Sequence, residues 1–244
     1  MQFFKQMPLF PPQMYEINKV IFLVLLRTIN FYGYMSKNEM IKELIIKRSQ
    51  KLFFEQGYKK VTVDDIASSL TISKKTIYKY FSSKREILEE TFEDYKENIS
   101  RDINEILDKT NLSFPEKLKQ VLSSIGVHLG GMNSLLFKDI QDYVPELWEK
   151  IHLYKYEAAF VRFNKLIEEG RKNGHIKRDI NRGVVVALYA SAIENLLDPA
   201  FIKSLPPELN REIPDYPVDV FENAIKIIYE GILTPETIKS LKTF

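Results

Sequence analysis

Between Val61 and Lys84 the chain reads VTVDDIASSLTISKKTIYKYFSSK, and three helix starts are packed into it. Thr62 can cap a first helix, with Asp65 three residues on as its acidic partner. Ser73 can cap a second. Ser83, followed three residues later by Glu86, is a further capping box that opens a long third helix. The first helix is then short, Val63 to Ser69, with Ile66, Ala67 and Leu70 on its inner side. The second is about two turns, Lys74 to Phe81. Two short helices joined by a tight turn make a helix-turn-helix, whose second helix can enter the DNA major groove.

The charges point the same way. From Ile66 to Arg85 there is no Asp or Glu, while Lys74, Lys75, Lys79, Lys84 and Arg85 are basic, in a chain of formal net charge only +2. Tyr78 and Tyr80 interleave with these lysines. Phosphate contacts use such donors together with helix N-termini, and base contacts use side chains at the front of the recognition helix. Tyr78, Tyr80 and Lys84 are therefore expected on phosphates. Lys75 and Thr76 are expected on base edges, with Lys79 behind them. Thr62, Ser73 and Lys74 complete the DNA-binding set. A lysine run by itself is more often a solvated face; here the caps, the spacing and the acid-free window agree on DNA.

Residues Lys47 to Tyr95 resemble the N-terminal DNA-binding domain of TetR-family transcriptional regulators. The residues that carry the likeness are Leu52, Phe53, Gly57 and Tyr58; Thr62, Ile66 and Ala67; then Ser73, Lys74, Thr76, Ile77, Tyr78, Tyr80, Phe81, Ser83 and Lys84. Two positions depart from the family pattern, since Thr71 and Lys75 stand where glycine is common. A β-branched residue in a turn that needs positive φ is strained, so the turn at Thr71 is expected to take a different shape. The resemblance implies a dimeric regulator, a repressor released from a palindromic double-stranded DNA operator by a small lipophilic or aromatic effector. It covers about fifty residues and says little of the C-terminal two thirds.

The expected architecture is all-α: a three-helix DNA-binding domain, 35–82, followed by a helical ligand-binding and dimerisation domain, 83–244. Residues 1–34 form an extension with three prolines. Its apolar run Val20–Leu26 is too short to cross a bilayer, and Met35 is an alternative start. An extension of little function is favoured over a membrane-surface or partner-binding segment. Lys37 to Gln56 carries an apolar stripe at helical spacing and ends at Gly57. The helix from Ser83 to Leu107 is about 35 Å long at 1.5 Å per residue. It is too long to belong to the reading head alone, and the resemblance implies that it is the rod transmitting between the two domains.

Further helices are expected from Ser113 or Pro115 to the Gly130-Gly131 pair, over Asn133–Asp142, over Pro145–Asn173, over Arg182–Leu197, and from Pro217 to Ile232. A proline-rich loop precedes the last. Helix 182–197 is apolar nearly all round, which suits burial on every side, and Gly183, Ala187, Ala190 and Ser191 permit close approach. Helices 182–197 and 217–232 are therefore the expected homodimer pair; burial within one subunit is the alternative.

The chain has no cysteine, which excludes disulfides and cysteine metal sites. Its three histidines, His128, His152 and His175, have no second histidine at metal spacing, and no nucleotide or metalloprotease motif is present. Neither a metal, a cofactor nor an enzyme activity is expected, and a cytoplasmic protein fits this composition. Phe92, Tyr95, His128, Met132, Trp148, Tyr156, Phe160 and Phe163 are the expected cavity lining. The rival reading is a helical ligand-binding or scaffold protein without an operator; a membrane-associated regulator is weaker still.

Overall fold

Side-chain caps set the helix starts of the reading head in the computed structural model, which describes residues 36–242. The expectation about residues 1–34 lies outside the described residues. The chain separates into two compact units, 1–45 and 46–244. Of the first, Ser36 to Ile45 is described: the start of α1 (Lys37–Gln56). Its Ser36 N–H donates to Glu39 Oε2 at 2.7 Å, and Glu39 N–H donates back to Ser36 Oγ at 3.3 Å.

In the second unit, α2 (Val63–Leu70) begins at the full capping box of Thr62 and Asp65. The recognition helix α3 is Lys74–Tyr78, shorter than expected, capped by Ser73. Ile66, Ile77 and Phe81 are buried beneath these helices. The turn between them keeps the left-handed conformation, with Thr71 at φ 55° and ψ 39°. The expected change of shape does not occur. The Thr71 N–H donates to Ser68 O and the Ile72 N–H to Ala67 O, and these bonds hold the threonine where glycine would sit unstrained. Left-handed backbone costs an L-residue about 1–2 kcal/mol, offset in part by the greater unfolded-state freedom of glycine, roughly 0.4–1 kcal/mol. Thr71→Gly is therefore expected to stabilise the protein by about 0.5–1 kcal/mol and raise Tm by about 2 °C in calorimetry. A lowered Tm removes the strain argument.

Beyond the turn, α4 (Lys84–Leu107) is followed by α5 (Phe114–Leu129), α6 (Ser134–Tyr143) and α7 (Pro145–Glu157). The expected single helix from Pro145 to Asn173 is not continuous. A π-helical turn, Ala158–Phe163, separates α7 from α8 (Asn164–Lys172). A π turn inserts an extra residue, so the inward face of α8 is out of phase with that of α7. Next come α9 (Arg182–Leu196), α10 (Pro199–Ser204), α11 (Pro207–Glu212), α12 (Pro217–Ile232) and α13 (Pro235–Lys242). The stretch expected as a proline-rich loop thus holds two short helices, and α13 was not foreseen. Each opens on a proline at its first turn, the position where the missing N–H costs nothing.

The main core joins Ile99 and Ile103 of α4, Leu118 of α5, Leu166 and Ile167 of α8, Tyr189 of α9 and Phe221 of α12. Gly170 lets α8 close on this core: a Cβ there would lie 2.6 Å from Phe114 Cε2 and Cζ. An isolated antiparallel bridge, Ile176 to Leu233, ties the loop after α8 to the end of α12. Helix α9 departs from the expected all-round burial. Val185, Val186 and Tyr189 face the core, while Val184 and Leu188 are exposed.

Candidate nucleic-acid interface and effector cavity

In the reading head most polar atoms of the expected set are already engaged. Thr62 Oγ1 accepts from Asp65 N–H at 3.1 Å and donates to Asp65 Oδ2 at 2.7 Å. The bonds from Thr62 hold the Asp65 carboxyl below the usual carboxylate range. Ser73 Oγ accepts from Thr76 N–H at 3.0 Å and lies 2.9 Å from Thr76 Oγ1. Lys74 Nζ pairs with Asp64 Oδ2 at 2.8 Å, a bond that raises its pKa. Lys79 Nζ sits 5.6 Å from the Tyr80 ring centre, and Tyr78 is half exposed. Lys75 and Lys79 are exposed, and neither has a carboxylate partner among the described residues.

Lys84 is placed differently from its expected role on phosphate. Its Nζ donates to Tyr58 O and Val61 O, both at 2.9 Å, and lies 4.2 Å from the Tyr58 ring centre. Burial pulls its pKa down, and Asp139 partly offsets this. The ammonium braces the loop that leads into α2. Nothing local in the sequence signals this, because its partners lie more than twenty residues upstream.

Helix α6 joins the reading head to the bundle. Asp139 Oδ2 accepts the Lys59 N–H at 2.7 Å. The Asn133 N–H, at the α6 cap, donates to Phe54 O at 2.8 Å, and Lys59 Nζ lies 5.1 Å from the Tyr143 ring centre. Arg85 adds an ion pair to Glu146 at 2.9 Å. Gly57 permits the approach: it sits at φ +80°, and a Cβ there would be 2.7 Å from Asp139 Oδ2.

A neighbouring face of α6, with Leu136, Phe137 and Ile140, walls a cavity of about 130 Å³. Leu88, Phe92, Tyr95 and Ile99 of α4 form a second wall, and Ile151, Tyr154, Lys155 and Tyr189 of α7 and α9 a third. The lining is apolar but for a few hydroxyls and one ammonium. Burial pushes the Tyr95 and Tyr189 hydroxyls far above the ordinary tyrosine range, so both stay protonated and can donate.

Of the expected lining, Phe92, Tyr95 and Met132 wall the cavity. Trp148 is buried beside it, its ring 4.8 Å from that of His152 and 6.1 Å from that of Phe137. His128 lies outside, its Nε2 3.0 Å from Asp102 Oδ2, with its ring edge-on to Tyr95. Phe163 is in the core, stacked 3.7 Å from the Tyr189 ring centre. Tyr156 and Phe160 pair with ring centres 4.4 Å apart on a separate outer groove. Sequence reasoning missed Tyr154 and Lys155, although Ile151, Tyr154, Lys155 and Ala158 stand at i, i+3, i+4 and i+7, one helical face. Among the described residues no group of three or more His, Asp or Glu could hold a metal ion, and no helix is long and apolar enough to cross a membrane.

Residues 45–91 match the family described as "Bacterial regulatory proteins, tetR family". An uncharacterized HTH-type transcriptional regulator of Bacillus subtilis, YvaF, is 26% identical over 200 residues, covering 79% of this chain and 95% of that protein. The HTH-type transcriptional repressor DhaR of a Mycobacterium species is 22% identical over 195 residues, covering 79% of this chain and 92% of that one. In fold the chain is similar to the crystal structure of a TetR-family transcriptional regulator from Agrobacterium tumefaciens, with a TM-score of 0.60 at 14% identity over 81% of this chain and all of that one. Residues 45–91 thus match the helix-turn-helix domain of the tetR family, and over most of its length the chain has the helical fold of a solved TetR-family transcriptional regulator.

Proposed function

We propose that the protein binds a palindromic operator as a homodimer, acts there as a repressor, and is released by a small lipophilic effector held in the α4–α7 cavity. One observation carries the DNA reading: α3, which holds no acidic residue of its own, presents Lys75 and Tyr78 to solvent with Lys79 at its C-terminal cap, and the two lysines have no carboxylate partner among the described residues. Cations left unpaired in this way are available to phosphate and base edges. DhaR, similar over most of its length, is named a repressor, which supports the sign of regulation. A protein working on DNA in this way belongs in the cytoplasm of a bacterial cell.

In this reading 35–82 is the DNA-binding domain and 83–244 the ligand and dimer domain. Dimer contact falls on the outward faces of 182–197 and 217–232, where Val184, Leu188 and Ile227 are exposed. Ala190 is half-buried against the core and Ala224 is buried within the subunit, so neither faces a partner. Ligand acts by binding better to a conformation whose two heads no longer match the half-site spacing.

Lys75 is the specificity residue. Lysine can donate to guanine O6 and N7 in the major groove. Selections on randomised half-sites are expected to show Lys75→Ala losing preference at one base pair per half-site, by about 1–3 kcal/mol. If wild type and variant select the same half-site with the same strength, Lys75 touches phosphate only. If wild type selects no sequence at all, the operator reading falls and a ligand-binding helical protein remains.

A further inference from the structure

We propose that the effector is an amphipathic monocarboxylate: an aliphatic or aryl chain lying in the cavity, with its carboxylate on the Lys155 ammonium. This rests on the cavity being the effector site. Lys155 is the one charged residue among those lining the cavity, and it also lines the outer groove with His152 and Glu194. It therefore sits between the apolar chamber and the surface. Its side chain is only 10% exposed.

The ammonium is buried but loosely held. It lies 3.4 Å from the Glu194 carbonyl and 3.5 Å from Glu194 Oε2, with the Trp148 ring centre at 5.2 Å. A well-made bond from an ammonium to an oxygen runs at about 2.7–2.9 Å. Burial lowers the pKa of Lys155 more than Glu194 raises it, so the charge is incompletely compensated. Buried cations gain most from a close anion.

Glu194 can yield its place. Its side chain is 37% exposed, and it also contacts His152 Nδ1. When a ligand carboxylate reaches Lys155, Glu194 stays with His152 at the rim.

The lining also excludes other classes. A cationic ligand would set like charges together in apolar surroundings. A dianionic phosphate ester would meet one cation where two are needed. A neutral hydrocarbon would leave the ammonium as it is and would have nothing to fix its orientation. A single carboxylate on an apolar chain satisfies both the ammonium and the walls.

Trp148 is the only tryptophan in the chain and lies against Lys155, so its emission reports occupation of this end. The test titrates octanoate and 1-octanol, matched in chain length, into the full-length protein, read by Trp148 emission and by calorimetry. Wild type is expected to bind octanoate at least ten-fold tighter than 1-octanol. Lys155→Met, which keeps the apolar stem, is expected to remove that preference. Equal binding of acid and alcohol by wild type overturns the carboxylate assignment and leaves the cavity as effector site. If neither binds, both readings fall together. The comparison of two ligands on wild type decides the matter even if the variant does not fold.

Discussion

Leu188→Asp is expected to leave the protein monomeric and unable to hold operator DNA. Leu188 is 59% exposed in the single chain, Val184 one turn earlier is 56% exposed, and Ile227 on α12 is 75% exposed. Large apolar residues exposed on two helices that share one core suit the proposed dimer surface. In a two-fold dimer each residue meets its own patch, so one substitution acts twice. Loss of a central apolar contact costs about 2 kcal/mol, hence roughly 4 kcal/mol per dimer, or about a thousand-fold in the dimer Kd. The buried carboxylates add to this. Sedimentation velocity at micromolar protein should show dimer for wild type and monomer for the variant. Operator affinity should fall at least about a hundred-fold, because a monomer reads a single half-site. A variant that stays dimeric with normal operator affinity moves the interface elsewhere, and unchanged circular dichroism separates lost assembly from lost fold.

Gly170→Ala should be the most damaging single methyl in the bundle. The added Cβ falls 2.6 Å from two atoms of the Phe114 ring and 2.8 Å from Ile176 Cδ1, far inside the 3.5–4.0 Å optimum for carbon pairs. Phe114 and Ile176 are 1% and 2% exposed. The Phe114 ring is further fixed by stacking on His175, 5.1 Å away and 12° from parallel. With no room to retreat, overpacking costs roughly 3 kcal/mol. Alanine returns about 1 kcal/mol of helix propensity in α8. The net loss of about 2 kcal/mol should lower Tm by about 4–8 °C for a chain of this size. DNA binding well below the transition should persist, since the change is remote from α3. A Tm unchanged or raised would mean that Phe114 and Ile176 can move after all.

The parts that were legible in the sequence are those fixed by local interactions. Thr62, Ser73 and Ser83 each accept from a backbone N–H three residues on, and such bonds can be read from spacing alone. The cavity was only partly legible, because its walls come from several helices and nothing in one helix states how the others are rotated. The π turn Ala158–Phe163 compounds this: within it Phe160 faces the surface and Phe163 the core, although an unbroken α-helix period was expected to carry both to the lining. Lys84 was misplaced for a related reason. Its charge was visible, but the carbonyls of Tyr58 and Val61 that claim it become neighbours only after folding.

On the proposed function, the position of α6 ties two equilibria together. One face touches whatever fills the cavity, and a neighbouring one fixes the reading head through Asp139 and the Lys59 amide. A helix in contact with both chamber and head cannot shift for one without the other. Thermodynamic reciprocity then runs in both directions: if effector weakens operator binding by some factor, operator weakens effector binding by the same factor, about 5–150-fold for couplings of the usual 1–3 kcal/mol. On that reading DNA acts as an antagonist of the effector. The concentration at which effector is sensed depends on how much of the protein is already seated on its sites. An effector affinity measured on free protein therefore overstates sensitivity in the cell, by a factor that titration in the presence of operator would give directly.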